Sequence, residues 1–262
     1  MKIRIRTALS LLSGSLLFVV SLSLSNPTLA QHSSDRHPHW SYSGAEGPDH
    51  WGDLEPDYAT CKTGTRQSPI NIEDAKPADL PAIHFDYQVS PLKIINNGHT
   101  IQVNYEPGST MTVGGKQYTL VQFHFHHPSE EEIGGKQFDL VAHLVHKDAE
   151  GHLAVVAILF QSGQTNPFLD LLWKNVPKEV GKEVTNKKIN LNVSDLLPPD
   201  HSYYTFAGSL TTPPCTEGVT WYVLRNPVEL SAEEITTFAK WYPDNARPIQ
   251  PTNGREIRES QK

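Results

Sequence analysis

The stretch "QFHFHHPSEEE" (residues 122–132) sets His124, His126 and His127 within four positions of a 262-residue chain that holds 13 histidines in all. If this stretch is a strand, His124 and His126 project from one face, and Phe123 and Phe125 from the other, because strand side chains alternate. Two imidazoles side by side make a claw for a metal ion. Zinc suits it: imidazole is a good zinc ligand, and catalytic zinc sites typically combine three protein ligands with a fourth position open to water. His143, midway through "FDLVAHLVH", is the natural third, on a run that could return antiparallel beside the claw. An H-x-H pair is equally compatible with two hydrogen-bonded core histidines. No H-E-x-x-H helix motif and no C-x-x-C pair offers a rival zinc signature.

The elements that would position these residues read as short strands separated by turns. "KIINNGHTIQVNYE" places an Asn-Gly turn between two alternating segments, and "GGKQYTLVQFHFH" follows a Gly-Gly turn. "FDLVAHLVH", "LAVVAILF" and "TWYVL" are further strand candidates, whereas helices are expected only around Phe168 to Trp173 and Ser231 to Trp241. The second opens with Ser231 and has Glu234 three residues on, the spacing of a capping box. No internal repeat or composition shift marks a second domain, so one mainly β domain is expected from residue 40 to residue 262.

Lys2, Arg4 and Arg6 precede an apolar, serine-diluted run from Ala8 to Ser25, and Thr28-Leu29-Ala30 follows as a small-residue cleavage site. Residues 1–30 thus read as a secretory signal peptide, and residues 31–39 as a polar tether. An uncleaved anchor is the weaker alternative, since a spanning helix wants about 20 predominantly apolar residues. Export would take the chain to a periplasm or to the outside. The net charge is −7, and loss of the leader would remove three cations and no acid. No basic cluster is left to displace counterions from a nucleic acid. Cys61 and Cys215 are the only cysteines, and in an oxidising compartment they are expected to form one disulfide; two buried thiols are the alternative. The sequence leaves monomer and homodimer equally open.

A wider set of blocks carries a family resemblance: "RQSPINI" (66–72), "NNGH" (96–99), "QFHFH" (122–126), "PSEE" (128–131), "AHLVH" (142–146), "GSLTTPP" (208–214) and "TWYVL" (220–224). In this order and spacing they resemble the α-class carbonic anhydrases, and the likeness spans roughly Trp40 to Arg258. The resemblance implies a large twisted, mostly antiparallel central sheet with a few short peripheral helices, and Zn2+ on His124, His126 and His143 at the bottom of a conical cleft. It implies reversible hydration of carbon dioxide to bicarbonate, with Thr211 accepting a hydrogen bond from the attacking hydroxide and passing its own hydroxyl proton to Glu130. His99 falls at the proton-shuttle position, and Tyr42, Asn97 and Gln102 at the polar positions that hold relay waters. Val145, Val155, Leu210, Thr212, Val219 and Trp221 fall at the substrate pocket. Gln122 is the partner of the first ligand. Cis peptides at Ser68-Pro69 and Pro213-Pro214, and the Cys61–Cys215 bridge, are implied as well.

The chain departs from the family at two places. Most members carry Glu two residues before the third ligand, where this sequence has Val141, and His where it has Glu131. We expect the changes to compensate, with Glu131 supplying the carboxylate that Val141 lacks. Two other function classes are weighed: a carbonic-anhydrase-fold binding or storage protein with weakened catalysis, and a zinc esterase. Survival of all three ligands beside Thr211, Glu130 and His99 favours the hydratase.

Overall fold

The computed structural model describes residues 40–261, so the leader and the tether expected over residues 1–39 lie outside the described residues. Alternating sequence builds alternating burial. Ser90–Asn96 buries every second residue, as does Ile101–Asn104, which lets these strands present one face to the core and one to solvent. Leu153–Ser162 is buried on both faces along "AVVAILF", as its unbroken apolar run requires of a central strand.

Among the described residues thirteen strands join one sheet. Its central path runs Glu183–Leu191, Ser90–Asn96, Ile101–Asn104, Lys116–His126, Leu140–Lys147, Leu153–Ser162, Glu217–Leu224, Tyr203–Ser209, Arg258–Ser260 and Lys76–Ala78. Most neighbours are antiparallel; Leu153–Ser162 runs parallel to Glu217–Leu224, and Arg258–Ser260 to Lys76–Ala78. Phe123 and Phe125 point into the larger core cluster with Leu144, Ile158 and Phe238. The opposite face is therefore left for the histidines.

The Gly-Gly turn forms as expected: Val113 pairs with Lys116, and Gly114 and Gly115 both take positive φ. The other turn sits one residue later than the Asn-Gly reading placed it. Asn96 pairs with Ile101 and the Asn97 N–H donates to the Thr100 carbonyl, so Gly98 (φ 91°) and His99 form the tip. The Asn97 side chain causes the shift by accepting from the His99 and Thr100 N–H groups, both at 2.9 Å.

Pro167–Trp173 is capped by Asn166, which accepts from the Phe168 and Leu169 N–H groups. Ala232–Ala239 carries the expected Ser231/Glu234 capping box and stops two residues short of Trp241. Buried Glu234 also accepts the Asn166 N–H at 3.0 Å, which joins the two helix starts. Cys61 and Cys215 are bonded across 154 residues of chain and pack with Trp51 and Tyr58. Ser68-Pro69 and Pro213-Pro214 are cis, and His127-Pro128 is a third cis bond beyond the two expected. Gly208 lies where a Cβ would collide with Ser68 Oγ and come within 2.7 Å of Trp221 Cδ1, so no larger residue fits without displacement.

Candidate metal centre

Antiparallel pairing sets His143 directly opposite His124, and His126 projects from the same face two residues on. Ring centroids lie 5.1 Å (His124–His126), 5.5 Å (His124–His143) and 4.8 Å (His126–His143) apart. One nitrogen from each ring falls within 4.8 Å of the others.

The remaining ring nitrogens are committed elsewhere. His124 Nδ1 meets Gln122 Oε1 at 2.9 Å, His126 Nδ1 meets the Asn245 carbonyl at 2.7 Å, and His143 Nε2 meets Glu131 Oε1 and Oε2 at 3.0 and 3.1 Å. An oxygen acceptor requires N–H on the nitrogen it touches, so the lone pairs fall on His124 Nε2, His126 Nε2 and His143 Nδ1. His126 Nε2 is buried with no hydrogen-bond partner. Such an orphan costs about 1–3 kcal/mol unless something else binds it. Three lone pairs aimed at one point, one of them otherwise unsatisfied, fit a divalent metal with nitrogen preference.

Electrostatics agree with this fit. Burial, reinforced by the neighbouring His143, pushes His124 down to about 3, and burial holds His126 well below the usual imidazole range. Both rings are neutral donors at pH 7. Burial also opposes charge on His143, but the Glu131 and Glu130 carboxylates outweigh it and favour positive charge there. The same carboxylates favour a cation held by that ring.

Glu130 is buried, and its Oε1 accepts the Arg247 N–H at 2.9 Å. Burial and the adjacent Glu131 push its carboxyl up to about 7, against opposing pulls from His143, Thr211 and Arg247. Its Oε2 has no partner of standard hydrogen-bond geometry, although the Thr211 hydroxyl lies near enough to favour its charge. Thr211 is buried in a loop whose Cys215 N–H bonds the Thr212 carbonyl at 2.8 Å, so the disulfide anchors the Thr211 segment directly.

Val155, Val219 and Trp221 are buried in one apolar cluster, with Val145 and Leu210 packed partly buried against it; Trp221 lies 4.9 Å from His143, ring to ring. Thr212 is half-buried beside Thr211. Val141 belongs to the same cluster and shares the face of His143. On the polar side Asn97 Nδ2 donates to Gln102 Oε1 at 3.4 Å, and the His99 ring stacks on Trp40 at 3.7 Å. Tyr42 packs edge-on against Trp40 and Trp51, and its buried hydroxyl has no hydrogen-bond partner.

Two residues of the site escape sequence reasoning. Asn245 and Arg247 lie in the short polar segment "DNARP" (244–248), which carries no periodicity, and both act partly through backbone atoms. The Arg247 guanidinium, buried and pushed down to about 10 by that burial, also holds the Gln67 side chain and the Ser68 and Cys61 carbonyls. A second cluster, Asp148, Glu150 and His152, sits on a surface turn where Lys116 Nζ already meets Asp148 at 2.6 Å.

The chain matches the family model described as eukaryotic-type carbonic anhydrase over residues 46–261. A carbonic anhydrase of Pectobacterium carotovorum is 46% identical over 220 residues, covering 84% of this chain and 90% of that one. Among solved structures, a hyperthermostable carbonic anhydrase from an active hydrothermal vent chimney matches with a TM-score of 0.83 and 47% identity, over 85% of this chain and 100% of that chain. The α-carbonic anhydrase of Thermovibrio ammonificans, solved with the inhibitor sulfanilamide, matches with a TM-score of 0.81 and 43% identity, over 86% and 99%. On its fold, its histidine cage and these likenesses, the chain belongs to the α-class carbonic anhydrase family.

Proposed function

We propose that the chain catalyses reversible hydration of carbon dioxide to bicarbonate and a proton, with Zn2+ held by His124, His126 and His143. The observation that carries this reading is the convergence of three ring lone pairs whose opposite nitrogens are fixed by Gln122, Asn245 and Glu131. Held by the three imidazole lone pairs, Zn2+ would supply positive charge that favours ionisation of a water near pH 7, a property of the enzyme class.

The surrounding residues then have distinct tasks. Glu130 accepts a hydrogen bond from the Thr211 hydroxyl, which leaves the Thr211 oxygen to accept one from the attacking hydroxide and so aims a lone pair at the substrate. The Thr211 N–H holds an oxygen on which negative charge develops. Val145, Val155, Leu210, Val219 and Trp221, with the Thr212 side chain beside them, form a mostly apolar wall suited to a small apolar gas. Glu131 replaces the strand carboxylate absent at Val141 and fixes the orientation and tautomer of His143.

Proton export sets the upper speed. With diffusion-limited reprotonation, a group of pKa near 7 loses protons directly at only roughly 10³ per second. His99, an imidazole and so the side-chain type suited to exchanging protons near neutral pH, carries protons faster between cleft and buffer. Tyr42, Asn97 and Gln102 hold the waters in between. The Cys61–Cys215 bond suits an oxidising compartment, and with the leader-like residues 1–30 it supports export to a periplasm or beyond. No described helix is long and apolar enough to cross a membrane.

The deciding experiment is elemental analysis of the purified chain together with stopped-flow hydration and sulfanilamide titration. One zinc per chain, hydration lost on chelation and restored by zinc, and inhibition by sulfanilamide are expected. Stoichiometric zinc without hydration would favour the binding or storage reading, and full activity in metal-free protein would overturn the assignment.

A further inference from the structure

Asn245 is fully buried and uses every polar group it has. Its carbonyl accepts from His126 Nδ1 at 2.7 Å, its N–H donates to the His127 carbonyl at 3.0 Å, and its Oδ1 accepts the His127 N–H at 2.8 Å. Its Nδ2 donates to the carbonyls of His99 at 2.9 Å and Phe125 at 3.0 Å.

The His99 turn is held by several groups. Asn97 accepts the His99 N–H, but Asn97 belongs to the turn and shapes it without locating it. Tyr242 bonds Asn96, the Gly181 N–H bonds the Asn96 carbonyl, and Trp40 stacks on the His99 ring. Thr100 Oγ1 also bonds the backbone of Phe125 on the claw strand. Among the described residues that reach the turn from outside the hairpin, Asn245 also bonds a histidine of the cage. We infer that Asn245 is a positioning residue that fixes the distance between the His99 turn and the metal centre, and thereby the speed of proton transfer. Its backbone carbonyl registers it to His126, and its side-chain amide registers His99 to it. A hop through ordered water depends steeply on separation, and a hairpin tip containing Gly98 has the backbone freedom to drift without this tie.

The inference rests on His99 acting as the shuttle. Asn245→Asp tests it sharply, because Asp keeps the acceptor for the His127 N–H and the backbone carbonyl for His126, while replacing the donor that faces the His99 and Phe125 carbonyls. Asn245→Ser removes the donor without adding charge, and serves if the Asp variant does not fold. We expect kcat at low buffer to fall several-fold, short of the roughly 100-fold that a 1 Å misplacement can cost. It should fall more than kcat/KM, zinc content should stay at one per chain, and added imidazole should restore kcat. In a His99→Ala background the Asn245 substitution should add nothing further, the signature of two residues acting through one step. Equal loss of kcat and kcat/KM with loss of zinc, or an effect of Asn245→Asp that persists in the His99→Ala background, would overturn the inference. If His99→Ala alone leaves kcat at low buffer unchanged, the shuttle reading itself fails; if it lowers kcat and Asn245→Asp does not, only the positioning role fails.

Discussion

His143 and His146 stand three residues apart on Leu140–Lys147, both almost fully inaccessible to solvent. Their surroundings divide them. His146 lies on the core side of a register shift, with Nε2 2.8 Å from the Tyr87 hydroxyl and Nδ1 2.9 Å from the Leu144 carbonyl, so protein groups occupy both nitrogens. His143 gives Nε2 to Glu131, and its Nδ1 lies 3.7 Å from Glu130, beyond hydrogen-bonding reach. Burial and residue type are the same in the two cases. What separates a packing histidine from a candidate metal ligand is how many of its nitrogens the protein has already used.

Substitutions can break this contrast. His143→Ala should have the largest effect, with zinc stoichiometry near zero by elemental analysis and hydration at background, whereas His146→Gln should retain a full zinc. A His146 variant that loses zinc as readily would erase the distinction. Thr211→Ala leaves the cage intact and should cost about 100- to 1000-fold in kcat/KM, read by stopped flow, as loss of an oriented transition-state hydrogen bond does.

Glu131→Ala should release zinc to a chelator about 10- to 100-fold faster, the range for losing a partner of a metal-binding histidine. Val141→Glu in the same background returns a carboxylate to the face of His143 and should recover part of that loss. No recovery, with unchanged folding by circular dichroism, would mean that the loop position of Glu131 matters beyond its charge.

The smallest effect is on stability. Burial holds His146 down to about 4, below the ordinary 6.5, so the unfolded chain binds the proton first. Stability is fully present above about pH 6.5 and declines as pH falls toward 4, by about 3 kcal/mol from this residue alone. Urea midpoints measured from pH 7 to pH 4.5 should fall less steeply in His146→Gln than in wild type.

The alternation of His124 and His126 with Phe123 and Phe125 made the claw and its strand readable, because period-2 placement is a local property. The Ser231/Glu234 box was readable for the same reason. Asn245 and Arg247 were not: their partners lie more than 115 residues away, and the bonds to His126 and Glu130 come from backbone atoms, which side-chain type does not announce. The His99 turn was misplaced by one residue because the Asn97 side chain competes for the turn's N–H groups, a contest that composition does not decide.

Gly208 limits how the surroundings of His143 could be remodelled. Trp221 is boxed between the bare backbone at Gly208 and the ring of His143, and its Nε1 is tied to the Ser209 carbonyl at 3.0 Å. Adding even a methyl group at 208 would load the indole from behind and transmit the shift to His143. If the proposed substrate wall holds, a variant selected to admit a bulkier substrate has more freedom at Val145 and Leu210, its partly buried members, than on the tryptophan side.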